Sequence, residues 1–432
     1  MFKKILIGII IILIILFILL SVWFFFFRDS ISTNQDITNN GTGSFFPVNT
    51  TFDPEQDNNF DTGEDRNDVV PDFIPSLRQI SKVPTSGFIS FERQATSSDL
   101  FVSESGEESN IKPYETVFRY IERSTGHLFE TKENTLSQER LSNKTIPKIQ
   151  DAVFDENGEY VVLRYLSSDN QTIETFTSKF VVNKSTSTDG VLIDESTLEG
   201  SFLEPNIDNI SMFKNSIDYL TSDETGATIF NNTLGTNTRN PIFSSPLKSF
   251  ILQKINNTLT TITSKADSNI EGSLFFINSS NGSSKKVLNN IFGLTTLTNP
   301  TGKYVLYSEY RAGNVDLNVL NTEDNQIIRI VLQTLPEKCV WSDLEENIIY
   351  CGVPERFTRA PYPESWYKGL ISFSDNIYKI DIDSKKYDLL LNTSTETDNE
   401  FDITKPQLSK NEEYFLFINK NDLTLWSLDL IK

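Results

Sequence analysis

The 432-residue chain contains 59 acidic and 38 basic residues, which gives a formal net charge of −21 at pH 7. Binding to nucleic acid or to an anionic lipid surface needs clustered Lys and Arg, so this charge argues against both. With one His and two Cys, the chain has too few of these ligands for a Cys/His metal cluster. We therefore predict no nucleic-acid partner, no metal site and no cofactor.

An uninterrupted apolar run, ILIGIIIILIILFILLSVWFFFF, occupies residues 5–27. As a helix it would exceed the ~30 Å hydrocarbon core of a bilayer. The apolar region of a cleaved signal peptide, the alternative, is about 7–15 residues long and ends at small residues. Because Lys3 and Lys4 precede the run, the positive-inside rule leaves residues 1–4 in the cytoplasm. The sequence predicts a single-pass signal anchor whose partner is the lipid bilayer, with the rest of the chain extracytoplasmic.

Residues 28–74 are rich in acids, with ten Asp or Glu against two Arg between positions 28 and 72. Few aliphatic residues interrupt this stretch. Such a composition buries too little apolar surface to offset the entropy of ordering. We predict a disordered acidic linker that separates the following domain from the membrane.

From about residue 75, short runs of β-branched and aromatic residues alternate with turns rich in Gly, Asn, Asp and Ser. YVVLRYL, KYVLYSEY and YFLFINK are typical of these runs. No stretch shows a sustained period of 3.6 residues. This pattern predicts an all-β domain over residues 75–432.

Four similar segments begin at Asp151, Thr295, Cys339 and Pro406, with degenerate copies near residues 208 and 248. Each has a short strand, a polar turn and then a strongly apolar strand. Repeats of this kind indicate propeller blades, each a four-stranded sheet. We predict about seven blades, with six or eight as alternatives. The last unit lacks a fourth strand, and residues 87–93, GFISFER, are predicted to supply it and close the ring.

Two of these turns contain parts of a known repeat: Trp341-Ser342-Asp343, and the DENG turn that ends at Gly158. They resemble the W-S-P-D-G repeats of TolB-like and WD40-like propellers. Over residues 75–432 the chain also resembles membrane-anchored propeller proteins of candidate-phylum bacteria, in phrases such as LRQISKVPTSG and PYPESWYKGLISFSDNIYKIDI. These resemblances imply a propeller fold and bring no assigned activity.

Signals of catalysis are few. His127 is the only His, and it lies in a turn, where a hydrogen-bonding or packing role is the simpler interpretation. No G-x-S-x-G, P-loop or Rossmann fingerprint accompanies it. The DIDSKKYD stretch lacks the full EF-hand-like pattern and is interpreted as an acidic hairpin turn. Carboxylates are plentiful, so paired acids in the propeller channel remain an alternative, as in glycan-active enzymes. We predict no catalytic residue.

The segment after Cys351, VPERFTRAPYPESWYKGLISFSD, looks like an ordered insertion because three prolines interrupt any strand. Aromatic and Arg residues of this kind form binding hot spots. The alternative is that Trp366 and Tyr367 pack the loop onto the propeller. The candidate binding residues are Arg356, Arg359, Tyr362, Trp366, Tyr367 and Lys368.

Both cysteines belong to one predicted hairpin, KCVWSDLEENIIYCGVP. A turn over residues 343–347 would place Cys339 directly opposite Cys351, with Cα atoms within disulfide range. Two buried free thiols are the alternative. A disulfide agrees with the predicted extracytoplasmic location, where such bonds persist.

Together these features predict a membrane-tethered extracytoplasmic propeller that serves as a protein or glycan interaction module in the cell envelope. Two alternatives stay open. One is an envelope enzyme that acts on glycans, and the other is an assembly factor for a surface appendage or secretion machine.

Overall fold

The computed structural model describes residues 74–95, 114–142, 144–186, 192–236 and 238–431. The predicted cytoplasmic stub, the signal anchor over residues 5–27 and nearly all of the acidic linker lie outside these residues. Within them, no helix is both long enough and apolar enough to cross a membrane.

The described residues form seven antiparallel sheets of four strands each, as predicted. Blade 1 contains β2 (Thr85–Gln94), β3 (Tyr114–Glu122), β4 (Leu128–Lys132) and β5 (Glu139–Arg140). Blade 2 contains β6 (Ile149–Phe154), β7 (Tyr160–Leu166), β8 (Ile173–Thr186) and β9 (Leu192–Phe202). Blade 3 contains β10 (Asn209–Phe213), β11 (Ser216–Ser222), β12 (Ala227–Thr233) and β13 (Asn240–Ser245).

The remaining blades follow in chain order. Blade 4 contains β14 (Phe250–Lys254), β15 (Leu259–Ser264), β16 (Glu271–Asn278) and β17 (Ser284–Phe292). Blade 5 contains β18 (Thr296–Thr298), β19 (Tyr304–Arg311), β20 (Asn314–Asn321) and β21 (Ile327–Ile330). Blade 6 contains β22 (Cys339–Trp341), β23 (Ile348–Pro354), β24 (Asp375–Asp381) and β25 (Lys386–Leu391). Blade 7 contains β26 (Ile403–Leu408), β27 (Tyr414–Asn419) and β28 (Leu425–Asp429), followed in space by β1 (Leu77–Gln79).

Short helical turns lie in the connections between strands. A 3-10 turn, Pro336–Lys338, precedes β22; helix α1, Glu364–Tyr367, lies between β23 and β24; and helix α2, Thr393–Glu396, follows β25. The predicted repeat starts coincide with the first strands of blades, including the degenerate copies, since β10 begins at Asn209 and β14 at Phe250.

The core lies between neighbouring blades. Every residue of β23 is buried, whereas β17 and β21, each the fourth strand of its blade, are largely exposed. A middle strand is apolar on both faces because its blade packs against two neighbours, and the fourth strand lies at the rim. One such cluster joins blades 5 and 6 through Leu306, Val319 and Ile349.

The residues of the quoted repeat motif connect neighbouring blades. Trp341 Nε1 donates to the carbonyl oxygen of Leu297 in blade 5 at 3.0 Å, and Ser342 Oγ donates to Glu412 in blade 7 at 2.8 Å. In the DENG turn, Tyr160 N donates to Asp155 Oδ1 at 2.7 Å, and Gly158 adopts φ +67°, a conformation that favours glycine. The degenerate motif therefore marks positions that hold the ring together.

The prediction that residues 87–93 close the ring is wrong. They lie in β2, the first strand of blade 1, where Phe88 pairs with Tyr120. The fourth strand of blade 7 is β1, in which Arg78 pairs with Ser427 of β28. The long apolar β2 faces β3 across nearly its full length, whereas the short β1 only has to cover one edge of blade 7.

Arg78 reinforces this closure. It is buried, and its guanidinium donates to Thr131 Oγ1 at 2.9 Å and to the carbonyl oxygen of Lys132 at 3.0 Å, both on the blade 1 side. The strand that completes blade 7 is thus also bonded to blade 1.

Each blade has two ends. In a four-stranded antiparallel blade, the turn between the second and third strands lies at the same end as the connection to the next blade. We call the side of the ring formed by these ends the insertion face, because the segment between β23 and β24 emerges there.

Candidate functional site

The predicted insertion occupies residues 355–374, between β23 and β24, and contains helix α1. Glu355 is its first residue and Ser374 its last. The backbone N of Glu355 donates a hydrogen bond to the carbonyl oxygen of Ser374 at 2.9 Å, so the two ends of the insertion are held together. A cis peptide bond joins Tyr362 and Pro363. The insertion is therefore an ordered excursion from blade 6, as its prolines indicated.

Toward blade 4, the insertion forms polar and close backbone contacts. The carboxylate of Glu364 accepts hydrogen bonds from the backbone N of Ser268 at 3.1 Å and from its Oγ. A Cβ on Gly293, which has φ +60°, would lie 2.7 Å from the carbonyl oxygen of Tyr362, so only glycine fits there. Toward blade 5, the side chain of Arg359 lies against Gly313.

The underside of the insertion is an aromatic cluster. Tyr362 is fully buried and Trp366 is 3% exposed. The ring of Tyr362 lies 4.6 Å from that of Phe357 and 6.0 Å from that of Phe373, measured between centroids. Two of the six predicted binding residues, Tyr362 and Trp366, thus pack the insertion onto the propeller.

Toward blade 7, the insertion is bonded to a buried charge cluster. Trp366 Nε1 lies 2.9 Å from Asp402 Oδ1 and 3.0 Å from Oδ2. Lys338 Nζ lies 2.5 Å from Asp402 Oδ1 and 2.5 Å from Asp375 Oδ2, and none of these three charged side chains is exposed. Lys420 Nζ donates to the carbonyl oxygen of Trp366 at 2.9 Å. Residues from blades 6 and 7 and their connections therefore meet beneath α1.

Burial changes the protonation equilibria of this cluster. Desolvation raises the pKa of Asp375 to about 6, against the opposing effect of Lys338. Oδ1 of Asp375 is buried and has no hydrogen-bond partner among the described residues. Desolvation also lowers the pKa of Lys420. Buried charges of this kind are costly to separate, because each then lacks its partner in a low-dielectric environment.

A second anchor lies under Tyr367. Its hydroxyl donates to Glu337 Oε1, and Glu337 Oε2 accepts from Thr295 Oγ1 at 3.0 Å. Burial raises the pKa of Glu337. The Tyr367 side chain is nevertheless 41% exposed, so one edge of its ring faces solvent.

The outer side of the insertion is cationic. Arg356, Arg359 and Lys368 are exposed, and Leu370 beside them is 74% exposed. Across the part of the chain that the structure describes, none of these three cations has an ion pair or a side-chain hydrogen bond. Four of the six predicted residues, these three and Tyr367, therefore share the solvent side.

The disulfide prediction is confirmed. Cys339 of β22 lies directly opposite Cys351 of β23, with a Cα–Cα distance of 4.1 Å, and the two sulfurs are bonded. Both residues are buried. The alternative of two free thiols is wrong, because register places the side chains in contact.

The other candidate residues have local roles. His127 Nε2 lies 3.0 Å from Thr145 Oγ1, in the turn before β4. In the DIDSKKYD stretch, Asp381 accepts from Ser384 Oγ at 2.6 Å, which closes a hairpin turn. Glu115 and Glu130, a close carboxylate pair in blade 1, are bridged by Arg93 at 3.0 and 2.8 Å.

Sequence reasoning missed Lys338, Asp375, Asp402 and Lys420. The available signal was weak: Asp375 begins β24 and Asp402 directly precedes β26, each with an aromatic and an aliphatic residue within two positions, as FSDNI and EFDIT. Charges in such positions are seldom buried unless they are paired. Only the assembled ring brings the partners together.

Fold and site together define a seven-bladed β-propeller with a cross-blade insertion on one face. The seven-bladed propeller architecture indicated by the repeats is confirmed. TolB from Acinetobacter baumannii is among the similar solved structures, at 12% identity and a TM-score of 0.39, over 74% of this chain and 77% of that chain. No protein-family model and no curated protein matches the sequence.

Two further solved structures are similar. One is an oligogalacturonate lyase in complex with manganese, at 7% identity and a TM-score of 0.46, over 74% of this chain and 86% of that chain. The other is the β-propeller domain of the Trilobed protease from Pyrococcus furiosus, at 8% identity and a TM-score of 0.47, over 73% of this chain and 92% of that chain. The likeness is one of fold.

Proposed function

We propose that the chain is a membrane-tethered extracytoplasmic propeller that acts as a protein-interaction module in the cell envelope, with the insertion as its contact surface. The observation on which this rests is the exposure of Arg356, Arg359 and Lys368 on a segment fixed to blades 4, 5 and 7. A preorganised surface loses little entropy when it binds. Arg and Tyr are typical of binding hot spots, and Tyr367 beside these cations is partly exposed.

The charge of the chain adds to this argument. The whole protein has a net charge of −21. A site with three cations that have no ion pair among the described residues is therefore opposite in sign to the chain as a whole. Long-range steering would orient an anionic partner toward this site and away from the rest of the surface. The natural partner is therefore one with exposed carboxylates.

The buried disulfide supports an extracytoplasmic location, because such bonds persist in oxidising compartments.

Photo-crosslinking in the native host tests the proposed contact surface. A photoreactive residue at position 368 should capture one discrete partner, and the same residue at position 410, in the turn after β26 on the opposite face, should not. Charge reversal by Arg356→Glu should abolish capture while leaving the melting temperature unchanged. Identical products from both positions, or capture that survives charge reversal, would refute the proposal.

The location of the propeller relative to the membrane is tested separately, by thiol alkylation and by protease treatment of spheroplasts. Free thiols are alkylated under denaturing conditions before any reductant is added, and external protease is applied to spheroplasts. We expect Cys339 and Cys351 to resist alkylation until reduction, and the propeller to be degraded or released from outside. A reduced pair in a protease-protected domain would place the chain in the cytoplasm.

A further inference from the structure

The turn between β19 and β20 of blade 5 lies against the insertion of blade 6. Arg311 pairs with Asn314 at the end of the ladder, and the two residues between them have positive φ, +50° at Ala312 and +93° at Gly313. This is the geometry of a type I′ hairpin turn, which favours glycine. Gly313 is buried although the other three residues of the turn are exposed. Since a hairpin tip normally faces solvent, another segment must cover it.

The covering side chain is that of Arg359. A Cβ on Gly313 would lie 2.5 Å from Nε and 2.9 Å from Cδ of Arg359, so the stem of the arginine runs across the face of the glycine. Any larger residue at position 313 would push this stem away, because the stem moves more easily than the backbone of the turn. Gly313 therefore provides the surface that fixes the course of the Arg359 side chain.

The backbone that carries Arg359 is held in place as well. The nearby residues Phe357 and Ala360 pack against the aromatic cluster beneath the insertion. The hydroxyl of Tyr362 donates to the carbonyl oxygen of Thr358 at 2.6 Å. With its backbone and its stem both held, this arginine loses less conformational entropy on binding than a free side chain would.

The guanidinium of Arg359 is available to a ligand. The residue is exposed, and it has no ion pair or side-chain hydrogen bond among the described residues. Glu309, the acid of the adjoining strand, is paired with Arg311 at 2.8 Å. A planar guanidinium matches the two oxygens of a carboxylate and binds them through two parallel hydrogen bonds. The site therefore suits a ligand that offers a carboxylate group.

We infer that Arg359, positioned by the turn at Gly313, binds one carboxylate of the partner protein through two parallel hydrogen bonds. This inference rests on the proposed function and makes it specific, since it names one receiving residue and the group that it receives. It differs from long-range steering, for which any cation at position 359 would suffice. Gly313 is a positioning residue that acts through Arg359, so blade 5 contributes to the contact surface.

Fluorescence anisotropy with the full-length protein in detergent tests this, using the labelled peptide GSEGSEGSEGS, whose separated carboxylates can each meet one guanidinium. Arg359→Lys keeps the charge and most of the stem but removes the planar fork, and should weaken binding about fivefold or more. Gly313→Ala displaces the stem and should weaken binding to a similar extent.

The matched control is Gly369→Ala, in the same insertion. Gly369 also has positive φ, +69°, but nothing lies within 4 Å of a Cβ added there. The substitution brings comparable backbone strain without touching a cation, so it should change the affinity by less than about twofold.

A double-mutant cycle separates positioning from a merely structural effect. When Arg359→Ala is already present, Gly313→Ala should have no further effect on the affinity, because the residue that it positions is gone. If Gly313→Ala does not fold, the comparison of Arg359→Lys with wild type decides alone.

Several results would overturn the inference. These are no binding of the peptide, equal binding of the glutamine peptide GSQGSQGSQGS, an unchanged affinity for Arg359→Lys, or a Gly313→Ala effect that is as large without Arg359 as with it. Tighter binding of polygalacturonate at equal carboxylate concentration would also overturn it, since the partner would then be a glycan.

Crosslinking separates this inference from the function on which it rests. Wild-type capture from position 368 that Arg359→Lys leaves unchanged would keep the interaction module and overturn the role of Arg359. The absence of any capture by the wild type would reject the module itself.

Discussion

Trp366 and Asp402 join the insertion of blade 6 to the start of blade 7, with the indole Nε1 of Trp366 2.9 Å from Oδ1 of the carboxylate. The same carboxylate pairs with the buried Lys338. Trp366, which the sequence predicted to be a binding residue, therefore anchors the insertion that carries the exposed cations. Stability of the insertion and exposure of its cations depend on the same contacts.

Replacing Trp366 by Phe removes one hydrogen-bond donor from a buried carboxylate. Because Asp402 is not exposed, the change should cost about 1–3 kcal/mol of unfolding free energy. Lys368→Ala, two residues along on the solvent side, should stay within about 0.5 kcal/mol of wild type. Urea unfolding followed by fluorescence measures both. Equal stabilities for the two variants would contradict the anchoring role.

Replacing Lys338 by Met leaves Asp375 and Asp402 buried without their shared cation. The expected loss is about 3–5 kcal/mol, as for other broken buried ion pairs. Lys303→Met is the matched control, since Lys303 pairs with Glu346 on the exposed surface, where such pairs contribute less than about 1 kcal/mol. If the two variants unfold at similar denaturant concentrations, the buried cluster does not stabilise the junction of blades 6 and 7.

The protonation of Asp375 makes stability depend on pH. Its folded pKa, about 6 because of burial, lies above the ~3.9 of an unfolded Asp, so the folded state binds the proton more tightly. Stability should therefore fall as the pH rises from about 4 to about 6. Wild type should gain up to about 3 kcal/mol relative to Asp375→Asn as the pH is lowered from 7 to 4. Unfolding curves at a series of pH values test this, and a constant difference between the proteins would show that Asp375 does not titrate in this range.

The disulfide closes a short hairpin, since Cys339 and Cys351 are separated by 12 in sequence. Loop-closure entropy predicts that its loss costs roughly 3 kcal/mol. The double substitution of both cysteines by Ala should lower stability by about this amount and keep the fold, because Val340 still pairs with Tyr350 in the ladder. Unfolding with and without reductant checks the effect. Reductant should lower the stability of wild type and leave the double variant unaffected.

Arg78 holds the closing strand to both blade 7 and blade 1. Arg78→Met keeps a side chain about as long as the aliphatic part of Arg and removes the hydrogen bonds to Thr131 Oγ1 and the carbonyl of Lys132. Hydrogen exchange should accelerate first in β1 and β28, since the edge of blade 7 is paired over only three residues. Uniform acceleration across all blades would instead indicate global destabilisation.

Much of the propeller could be predicted from the sequence. Apolar runs such as YVVLRYL mark middle strands because these strands are buried on both faces. The spacing of the repeats predicted about seven blades, and the structure has seven. The Cys339–Cys351 pairing followed from a hairpin whose register depends only on local turn length. In each case neighbouring residues in the chain determine the structure.

Contacts between distant segments could not be predicted in the same way. By pattern alone, the fourth strand of blade 7 could be LRQ at residues 77–79 or GFISFER at residues 87–93. The structure pairs GFISFER with β3 in blade 1 and LRQ with β28 in blade 7. Trp366 and Tyr367 are adjacent and chemically alike, yet one is buried on Asp402 and the other is partly exposed. Trp366 is buried because the charge cluster of Lys338, Asp375 and Asp402, assembled from two blades, lies beneath it.

By itself, then, the sequence determined the all-β repeat, a count of about seven blades, the pairing register of the two cysteines and the position of the insertion, because strand periodicity and hairpin register are local. Only the tertiary structure decided how the ring closes, which insertion residues face solvent, and that Lys338 meets Asp375 and Asp402. Those outcomes depend on the burial of charges and aromatic rings between blades, which exists only once the ring has formed.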